Sequence, residues 1–244
     1  MPDKKKKTIV AIELTNQCNI RCPHCPQGRV EVPMGMMNRD TFMQCLSYCE
    51  GYTEVNWRGE PTLHPGLVEY VLMAKTFNPA LNLGFHTNGL LMTESLLREL
   101  ANNGLGWIQV SLHCPESCFR YKEIIEWNRG LEKPLYIYAD VDNTQEELTA
   151  LSCGLTQDMF HKDNIANWAG FLTDYRIIYP EPGNRAQQCL FIKENKFIVA
   201  WDGSVNACCW DYKQLHNLGK VEEFETIAHN PPYELCKSCL WISK

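Results

Sequence analysis

The 244-residue sequence lacks the features of membrane, nucleic-acid-binding and exported proteins. It has no run of about 18 apolar residues, so we expect no membrane-spanning helix. Acidic residues outnumber lysine and arginine, 29 to 23, and a net charge of −6 argues against a nucleic-acid-binding surface, which would be basic. After the lysines at positions 4–7, Glu13 and Asn16 interrupt the apolar segment. We therefore expect no secretory signal peptide.

Cysteine, by contrast, is abundant. The chain has 13 cysteines, an odd number, and no predicted secretion signal. In a reducing compartment, such cysteines serve as metal ligands more often than as disulfides. We therefore expect a cytoplasmic protein that binds metal through thiolates and is sensitive to oxygen. The chain is long enough for one large core, with or without a small appendage.

The most informative motif is a group of three cysteines, Cys18, Cys22 and Cys25, after an apolar β-type run. Thiolate-rich sites select zinc or iron–sulfur clusters, and a structural zinc site is normally closed by a fourth ligand. Three cysteines on a cubane cluster instead leave one iron open for a substrate or cofactor. A zinc knuckle with His24 as fourth ligand, or a redox pair with a bystander thiol, is the alternative.

The C-x₃-C-x₂-C spacing resembles the hallmark of the radical S-adenosylmethionine (SAM) superfamily. The resemblance implies a [4Fe–4S] cluster on Cys18, Cys22 and Cys25 whose open iron binds SAM. It implies reductive cleavage of SAM to a 5′-deoxyadenosyl radical that takes a hydrogen atom from a substrate. An external one-electron reductant such as flavodoxin or ferredoxin is then required. The family usually has an aromatic residue that lines the adenine at the position of His24.

Short β-type runs alternate with helical patterns over residues 8–175, which is typical of βαβ units and a parallel sheet. Right-handed crossovers predict a partial (β/α)₆ barrel of α/β class, whose active groups lie at the C-terminal ends of the strands. The predicted strands are 8–14, 53–57, 81–86, 107–112, 135–141 and a sixth near 163–168. The predicted helices are 39–48, 65–76, 93–102, 117–129 and 144–151, with capping signals at Thr93, Ser117 and Asn143.

The turn after the second predicted strand contains Gly59, Glu60 and Pro61. Gly59 allows close approach of a ligand, Pro61 stiffens the turn and Glu60 offers an acceptor for an ammonium group. The turn resembles the Gly-Gly-Glu-Pro segment with which the family binds the amino group of SAM, although Arg58 replaces the first glycine. A simple turn is the alternative for an isolated Gly-Glu-Pro.

Further SAM contacts follow from the same resemblance. Asn88 lies in the Thr-Asn-Gly ending of the third strand. It is a candidate contact with SAM, and a residue that only forms the turn is the alternative. Ser111, on the fourth strand, corresponds to a serine that contacts the SAM ribose in relatives, or is a satisfied strand hydroxyl. Arg120, on the following helix, is a candidate for the SAM carboxylate, and a solvated helix arginine is the alternative.

The C-terminal residues 176–244 contain a second set of cysteines, Cys189, Cys208, Cys236 and Cys239. A predicted hairpin around Gly203 brings the first two together, and the C-x₂-C pair completes four ligands. The arrangement resembles the twitch module, the short form of the SPASM domain, and so implies an auxiliary [4Fe–4S] cluster in a small hairpin-and-helix appendage. A four-cysteine zinc ribbon is the alternative.

The reaction is predicted less directly. The layout resembles that of the aminocyclitol dehydrogenase of the butirosin pathway, which implies oxidation of a small polar substrate with the auxiliary cluster as electron acceptor or substrate anchor. The alternatives are modification of a peptide and a non-catalytic electron carrier. The candidate catalytic residues at the barrel mouth are His113 and Arg58, together with His86 as a further candidate base, and Cys114 or Cys209 as a hydrogen donor. Cys45 and Cys49 are predicted to pack on one helix.

Overall fold

A nine-stranded sheet forms the centre of the molecule in this computed structural model, which describes residues 5–27, 29–162, 189–231 and 233–237. The strands are β1 Thr8–Ile12, β2 Cys49–Glu54, β3 Asn82–Thr87, β4 Trp107–Ser111, β5 Tyr136–Val141, β6 His161–Lys162, β7 Lys196–Val199, β8 Ser204–Asn206 and β9 Asn217–Lys220. Their order is β6-β5-β4-β3-β2-β1-β7-β8-β9.

Strands β1 to β6 are all parallel to their neighbours and follow one another in sequence order across the sheet. The crossovers carry α1 Arg39–Leu46, α2 Leu67–Phe77, α3 Glu94–Asn102, α4 Pro115–Arg129 and α5 Thr144–Ser152; a short α6, Leu190–Lys193, precedes β7. This is the predicted α/β architecture of a partial (β/α)₆ barrel.

Two helices, α3 and α5, begin where the capping signals predict. The side chain of Thr93 accepts a hydrogen bond from the backbone amide of Leu96, and the side chain of Asn143 accepts one from that of Glu146. Such caps satisfy amides that have no partner inside the helix. The predicted start of α4 at residue 117 is wrong. The helix begins at Pro115, and Cys114 is the capping residue in place of Ser117. Proline suits the first helical position, where its missing N–H is not needed.

The largest error of the sequence prediction is β2. The strand runs over Cys49–Glu54 instead of 53–57, and the helix before it ends at Leu46. Cys49 therefore starts the strand, and its thiol donates to the carbonyl of Cys45, so the two are buried together but do not share a helix. Glu50 and Gly51 disfavour a strand locally, yet pairing with β1 and β3 on both sides outweighs that preference.

The C-terminal strands extend the barrel sheet. β7 runs parallel to β1, with Phe197 opposite Ile9, and β8 and β9 follow as antiparallel strands. Gly203 has a positive φ of 83° in the predicted turn between β7 and β8. Phe197 and Phe224 belong to the same apolar core as the barrel helices. The proposed boundary at residue 175 and the sixth predicted strand at 163–168 lie outside the described residues.

Among the residues that the structure describes, no helix is both long enough and apolar enough to cross a membrane.

Candidate active site

Three thiols lie together on the loop that follows β1. The backbone amide of Cys25 donates to the carbonyl of Cys22 at 3.2 Å, which folds the loop back on itself. Burial and the charges of the other two thiolates raise the pKa of Cys22, and burial raises the pKa of Cys25 to about 11. A bound cation reverses this effect, because a coordinating thiol loses its proton. The three soft donors therefore fit an iron–sulfur cluster.

The predicted Gly-Glu-Pro turn packs directly against the cysteine loop. A Cβ at Gly59 would overlap the carbonyl oxygen of Thr15 and lie 2.6 Å from that of Gln17, so only glycine fits. The backbone amide of Glu60 donates to the Gln17 carbonyl at 2.8 Å. Pro61 then opens a single 3₁₀ turn, Pro61–Leu63. This turn is therefore part of the wall that holds the cysteine loop.

The Glu60 carboxylate is buried and accepts several hydrogen bonds. Its oxygens accept from the hydroxyls of Thr62 and Thr87 at 2.6 and 2.7 Å and from the backbone amide of Asn88 at 2.8 Å. Burial is the largest effect on this group and raises its pKa, although the hydrogen bonds oppose the shift. The Asn88 side chain donates to Asn19 at 2.8 Å and lies 3.9 Å from the sulfur of Cys18. Glu60 and Asn88 thus both adjoin the cysteine loop.

His24, His113, Asp142 and Glu146 form a compact group, here called the acid–histidine cluster. Nε2 of His24 lies 2.9 Å from Oδ2 of Asp142, and Nδ1 of His113 lies 3.1 Å from Oε1 of Glu146. The two imidazole rings are 4.6 Å apart. Burial lowers the pKa of His113, but Glu146, Asp142 and Asp140 together raise it above its ordinary value. One nitrogen of each histidine also lies within 4.8 Å of Cys22 Sγ, which is the geometry that the zinc alternative would use.

The two carboxylates of the acid–histidine cluster are not identified by the sequence analysis. Asp142 follows β5, and Glu146 lies in the first turn of α5, where its side chain accepts from the Asp142 backbone amide at 2.7 Å. The signal that would have found them is the rule already applied to the earlier strands, that active groups collect at the C-terminal ends.

Ser111 and Asp140 continue this polar surface along the inner face of the sheet. They are directly opposite each other on β4 and β5, and the serine hydroxyl donates to the carboxylate at 3.1 Å. Burial raises the pKa of Asp140, while a hydrogen bond from the Gln109 side chain opposes the shift. Ser111 is thus already partnered, yet it remains partly exposed at the strand end.

Aromatic side chains line the opposite, N-terminal end of the barrel interior. The Trp107 ring stacks on Tyr52 at 4.8 Å and covers Gly84, where a Cβ would overlap the indole. The ring centroids of Tyr138 and Trp107 are 6.1 Å apart. The His86 ring lies in a T-shaped arrangement with the same indole, with the ring centroids 5.6 Å apart. A cavity of about 250 Å³ lies among these aromatic rings. The inner face therefore has a polar layer beside the cysteine loop and an aromatic layer beneath it.

Arg58 and Arg120, two of the predicted site residues, both form ion pairs. The Arg58 guanidinium is fully buried, forms an ion pair with Glu13 and donates to the carbonyl of Tyr212 at 2.7 Å. A guanidinium offers only hydrogen-bond donors and no acceptor, so Arg58 is unsuited to act as a base. Arg120 pairs with Glu123 at 2.9 Å on its own helix and lies beside Gly89, and its contact with the SAM carboxylate stays a prediction.

A family model identifies this architecture. The model of the radical SAM superfamily matches residues 12–137, which includes the cysteine loop, the Gly-Glu-Pro turn and the ends of β3 and β4. This chain belongs to the radical SAM superfamily. Membership implies a [4Fe–4S] cluster and SAM, for which the three thiols provide the ligands that fit.

Individual relatives agree with this assignment. The chain is 23% identical over 97% of its length to the S-adenosyl-L-methionine-dependent 2-deoxy-scyllo-inosamine dehydrogenase of Niallia circulans, and spans 94% of that protein. It is 35% identical over 41% of its length to a tungsten-containing aldehyde ferredoxin oxidoreductase cofactor-modifying protein of Pyrococcus furiosus, but spans only 29% of it. A crystal structure of BtrN with AdoMet and 2-DOIA has the same fold, with a TM-score of 0.62 and 20% identity over 96% of this chain and 86% of that one.

The C-terminal cysteines of this radical SAM protein also approach one another. Cys189 precedes α6, Cys208 follows β8, and Cys236 lies in the 3₁₀ turn Glu234–Lys237. Cys236 packs against the small apolar cluster that contains Cys208. Burial raises the pKa of Cys236, a backbone hydrogen bond at Tyr233 opposes the shift, and the charges of Cys208 and Cys189 add to the rise. Cys239 lies outside the described residues, so a four-thiol site stays a prediction.

The two cysteines considered as hydrogen donors have different surroundings. The sulfur of Cys114 lies 3.3 Å from the Ser117 hydroxyl, and its charge contributes to the raised pKa of Cys22, so it is close to the radical SAM cysteine loop. The backbone carbonyl of Cys209 accepts a hydrogen bond from the Trp57 indole at 2.7 Å, beside the second cysteine set. Cys114 thus adjoins the first cysteine set and Cys209 the second, and a hydrogen-donor role for either stays a prediction.

Proposed function

We propose that this protein is a radical SAM dehydrogenase that oxidises a hydroxyl group of a small polar substrate to a carbonyl. The observation that carries the proposal is the row of hydrogen-bonding groups, Ser111–Asp140 and the acid–histidine cluster, beside the three-thiol loop. The near full-length similarity to a dehydrogenase of an aminocyclitol supports it.

In this proposal Cys18, Cys22 and Cys25 hold the [4Fe–4S] cluster, and Glu60 and Asn88 adjoin the bound SAM. Together these groups supply, when bound, the 5′-deoxyadenosyl radical that removes a hydrogen atom from a substrate carbon. Gly59 has the structural role of letting the turn approach the loop. Ser111 and His24 line the same face, and their contacts with SAM are part of the proposal.

Oxidation of an alcohol also requires loss of the hydroxyl proton, and His113 is the group that we propose accepts it. Its Nδ1 faces the Glu146 carboxylate at 3.1 Å, which leaves Nε2 as the nitrogen for the substrate. A carboxylate on the far nitrogen fixes the tautomer and stabilises the imidazolium once the proton has moved. Glu146 and Asp142 therefore hold His113 in position.

The inner face of the barrel indicates the kind of substrate. Asp140 and Asp142 are acidic, partly or fully buried, and surrounded by hydrogen-bond donors and acceptors from β4 and β5. Such groups suit a compound rich in hydroxyl and amino groups, because each buried polar atom then obtains a partner. The layer around Trp107 can cover the C–H face of a saturated ring.

The remaining electron needs an acceptor, and the twitch-type site of Cys189, Cys208, Cys236 and Cys239 is proposed for this role with an auxiliary cluster. An external flavodoxin or ferredoxin would supply the electron that starts each turnover.

The decisive experiment uses protein purified and reconstituted without oxygen. With SAM and dithionite, we expect 5′-deoxyadenosine whose formation increases with an aminocyclitol or related polyol, and deuterium transfer into it from a carbon-deuterated substrate. Two clusters predict about eight irons per chain, and Cys18→Ala should remove about four together with SAM cleavage. Cys45→Ala is the matched control, because this thiol is buried in the core away from both cysteine sets.

Other outcomes would separate the alternatives. SAM cleavage stimulated only by a peptide would replace dehydrogenation by peptide modification. Reversible reduction of the iron without SAM binding would indicate an electron carrier. Stoichiometric zinc in protein purified without oxygen would contradict the proposal altogether.

A further inference from the structure

A buried network joins the C-terminal segment to the first set of cysteines through Tyr212. This residue follows Cys208 and Cys209 in the C-terminal segment and is fully buried. Its backbone carbonyl accepts a hydrogen bond from Arg58, and its hydroxyl donates to the side chain of Gln27. The segment that carries the second cysteine set is thus tied to the loop that carries the first.

Gln27 transmits this contact to a cluster ligand. Its backbone amide donates to the sulfur of Cys25 at 3.4 Å, and its side chain is the acceptor for Tyr212. The charges of Cys25 and Cys18 contribute to a raised pKa of Tyr212, after burial, so the phenol is neutral and close to both thiols. Hydrogen bonds to cluster sulfurs are among the features that set the reduction potential of an iron–sulfur cluster.

Arg58 fixes the other end of the network. Its guanidinium makes two hydrogen bonds to Glu13, at 2.7 and 2.6 Å, and both side chains are completely buried. Glu13 directly follows β1 and also accepts from the backbone amide of Trp201 at 3.2 Å. The position of Tyr212 is therefore set by the junction between the barrel and the C-terminal strands.

We propose that Tyr212 is a positioning residue through which the C-terminal segment acts on the first cysteine set: by holding Gln27, it strengthens the hydrogen bond to Cys25 and raises the reduction potential of the cluster on that set. The inference rests on the proposed ligation of a cluster by Cys18, Cys22 and Cys25. It does not depend on the identity of the substrate.

The test is a potentiometric titration, followed by electron paramagnetic resonance, of reconstituted wild-type and Tyr212→Phe proteins. Phenylalanine keeps the buried ring and removes only the hydroxyl. We expect the equilibrium constant for reduction of the first cluster to fall by about twofold to tenfold, because loss of one neutral hydrogen bond weakens the amide–sulfur bond that favours the reduced state. A tenfold fall in a one-electron couple is a shift of about 59 mV to more negative potential.

Two further variants complete the test. Tyr70→Phe is the matched control, because its buried hydroxyl donates to the carbonyl of Met37 at 3.0 Å, away from either cysteine set, and the potential should not move. Gln27→Leu removes the acceptor but keeps the backbone amide. In a Tyr212→Phe/Gln27→Leu double variant, the two shifts should not add, because both remove the same hydrogen bond.

An unchanged potential in Tyr212→Phe with full iron content would overturn the inference, as would an equal shift in Tyr70→Phe or additive shifts in the double variant. If reconstituted wild-type protein bound no cluster at the first cysteine set, that result would instead contradict the proposed ligation. Absence of dehydrogenation with any alcohol, at normal iron content, would contradict only the proposed reaction.

Discussion

The substitution Arg58→Met removes the charge from the junction between the barrel and the C-terminal strands. Methionine has a similar length but no side-chain donors, so the Glu13 carboxylate loses its charged partner while both positions remain fully buried. The carbonyl of Tyr212 also loses its hydrogen bond. Removal of one partner from a buried pair costs about 3–5 kcal/mol, because the remaining charge is left without compensation.

This cost should be visible in the thermal midpoint, Tm. In a protein of this size each kcal/mol lowers Tm by roughly 2–4 °C, so we expect a fall of about 6–20 °C, measured by circular dichroism under anaerobic conditions. Arg98→Met is the control, since its partner Glu94 lies on an exposed helix face and such pairs contribute about 0.3–0.5 kcal/mol. Replacement of both Glu13 and Arg58 by apolar residues should restore part of the loss. An Arg58→Met midpoint no lower than that of Arg98→Met would refute the reasoning.

Three other substitutions test separate parts of the site. Gly59→Ala should lower the iron bound by the first cysteine set with little loss of secondary structure, because the new Cβ would overlap backbone oxygens of the cysteine loop; normal iron content would contradict it. Gly84→Ala should destabilise the protein by about 1–3 kcal/mol and red-shift tryptophan emission as Trp107 is displaced; an unchanged emission spectrum would contradict this. Asn143→Ala removes the 2.9 Å cap of α5 and should cost about 0.5–2 kcal/mol in denaturant unfolding, and an unchanged midpoint would show that the cap is dispensable.

Much of the barrel is predictable from sequence because its signals are local. Helix caps at Thr93 and Asn143 and the alternation of strands with helices depend on residues close together in the chain. The bounds of β2 are different, because Gly51 enters the strand only through pairing with both neighbours. Local preference cannot predict a strand that its neighbours impose.

The residues of the candidate site also fall into two groups, those with local sequence signals and those placed by long-range contacts. The three cysteines and the Gly59 turn are contiguous motifs, so their meaning is visible in the sequence. The partners of Arg58 are not, since Glu13 and Tyr212 lie far from it in the chain and only the folded sheet brings them together. Charge alone makes Arg58 look like a solvent-facing or catalytic group. The long-range pairing makes it an internal support.

The position of β1 in the middle of the sheet has a consequence for biosynthesis. One edge of β1 pairs with β2, which the ribosome makes soon afterwards, but the other edge pairs with β7 near the end of the chain. Chain elongation proceeds at about 5–20 residues per second. The edge of β1 that will pair with β7 therefore has no partner strand for several seconds or longer during synthesis. The loop with the first cysteines follows this strand directly. Gln27, beyond the third cysteine of that loop, is held by Tyr212, so the surroundings of the first cysteine set are complete only after residue 212 has been synthesised.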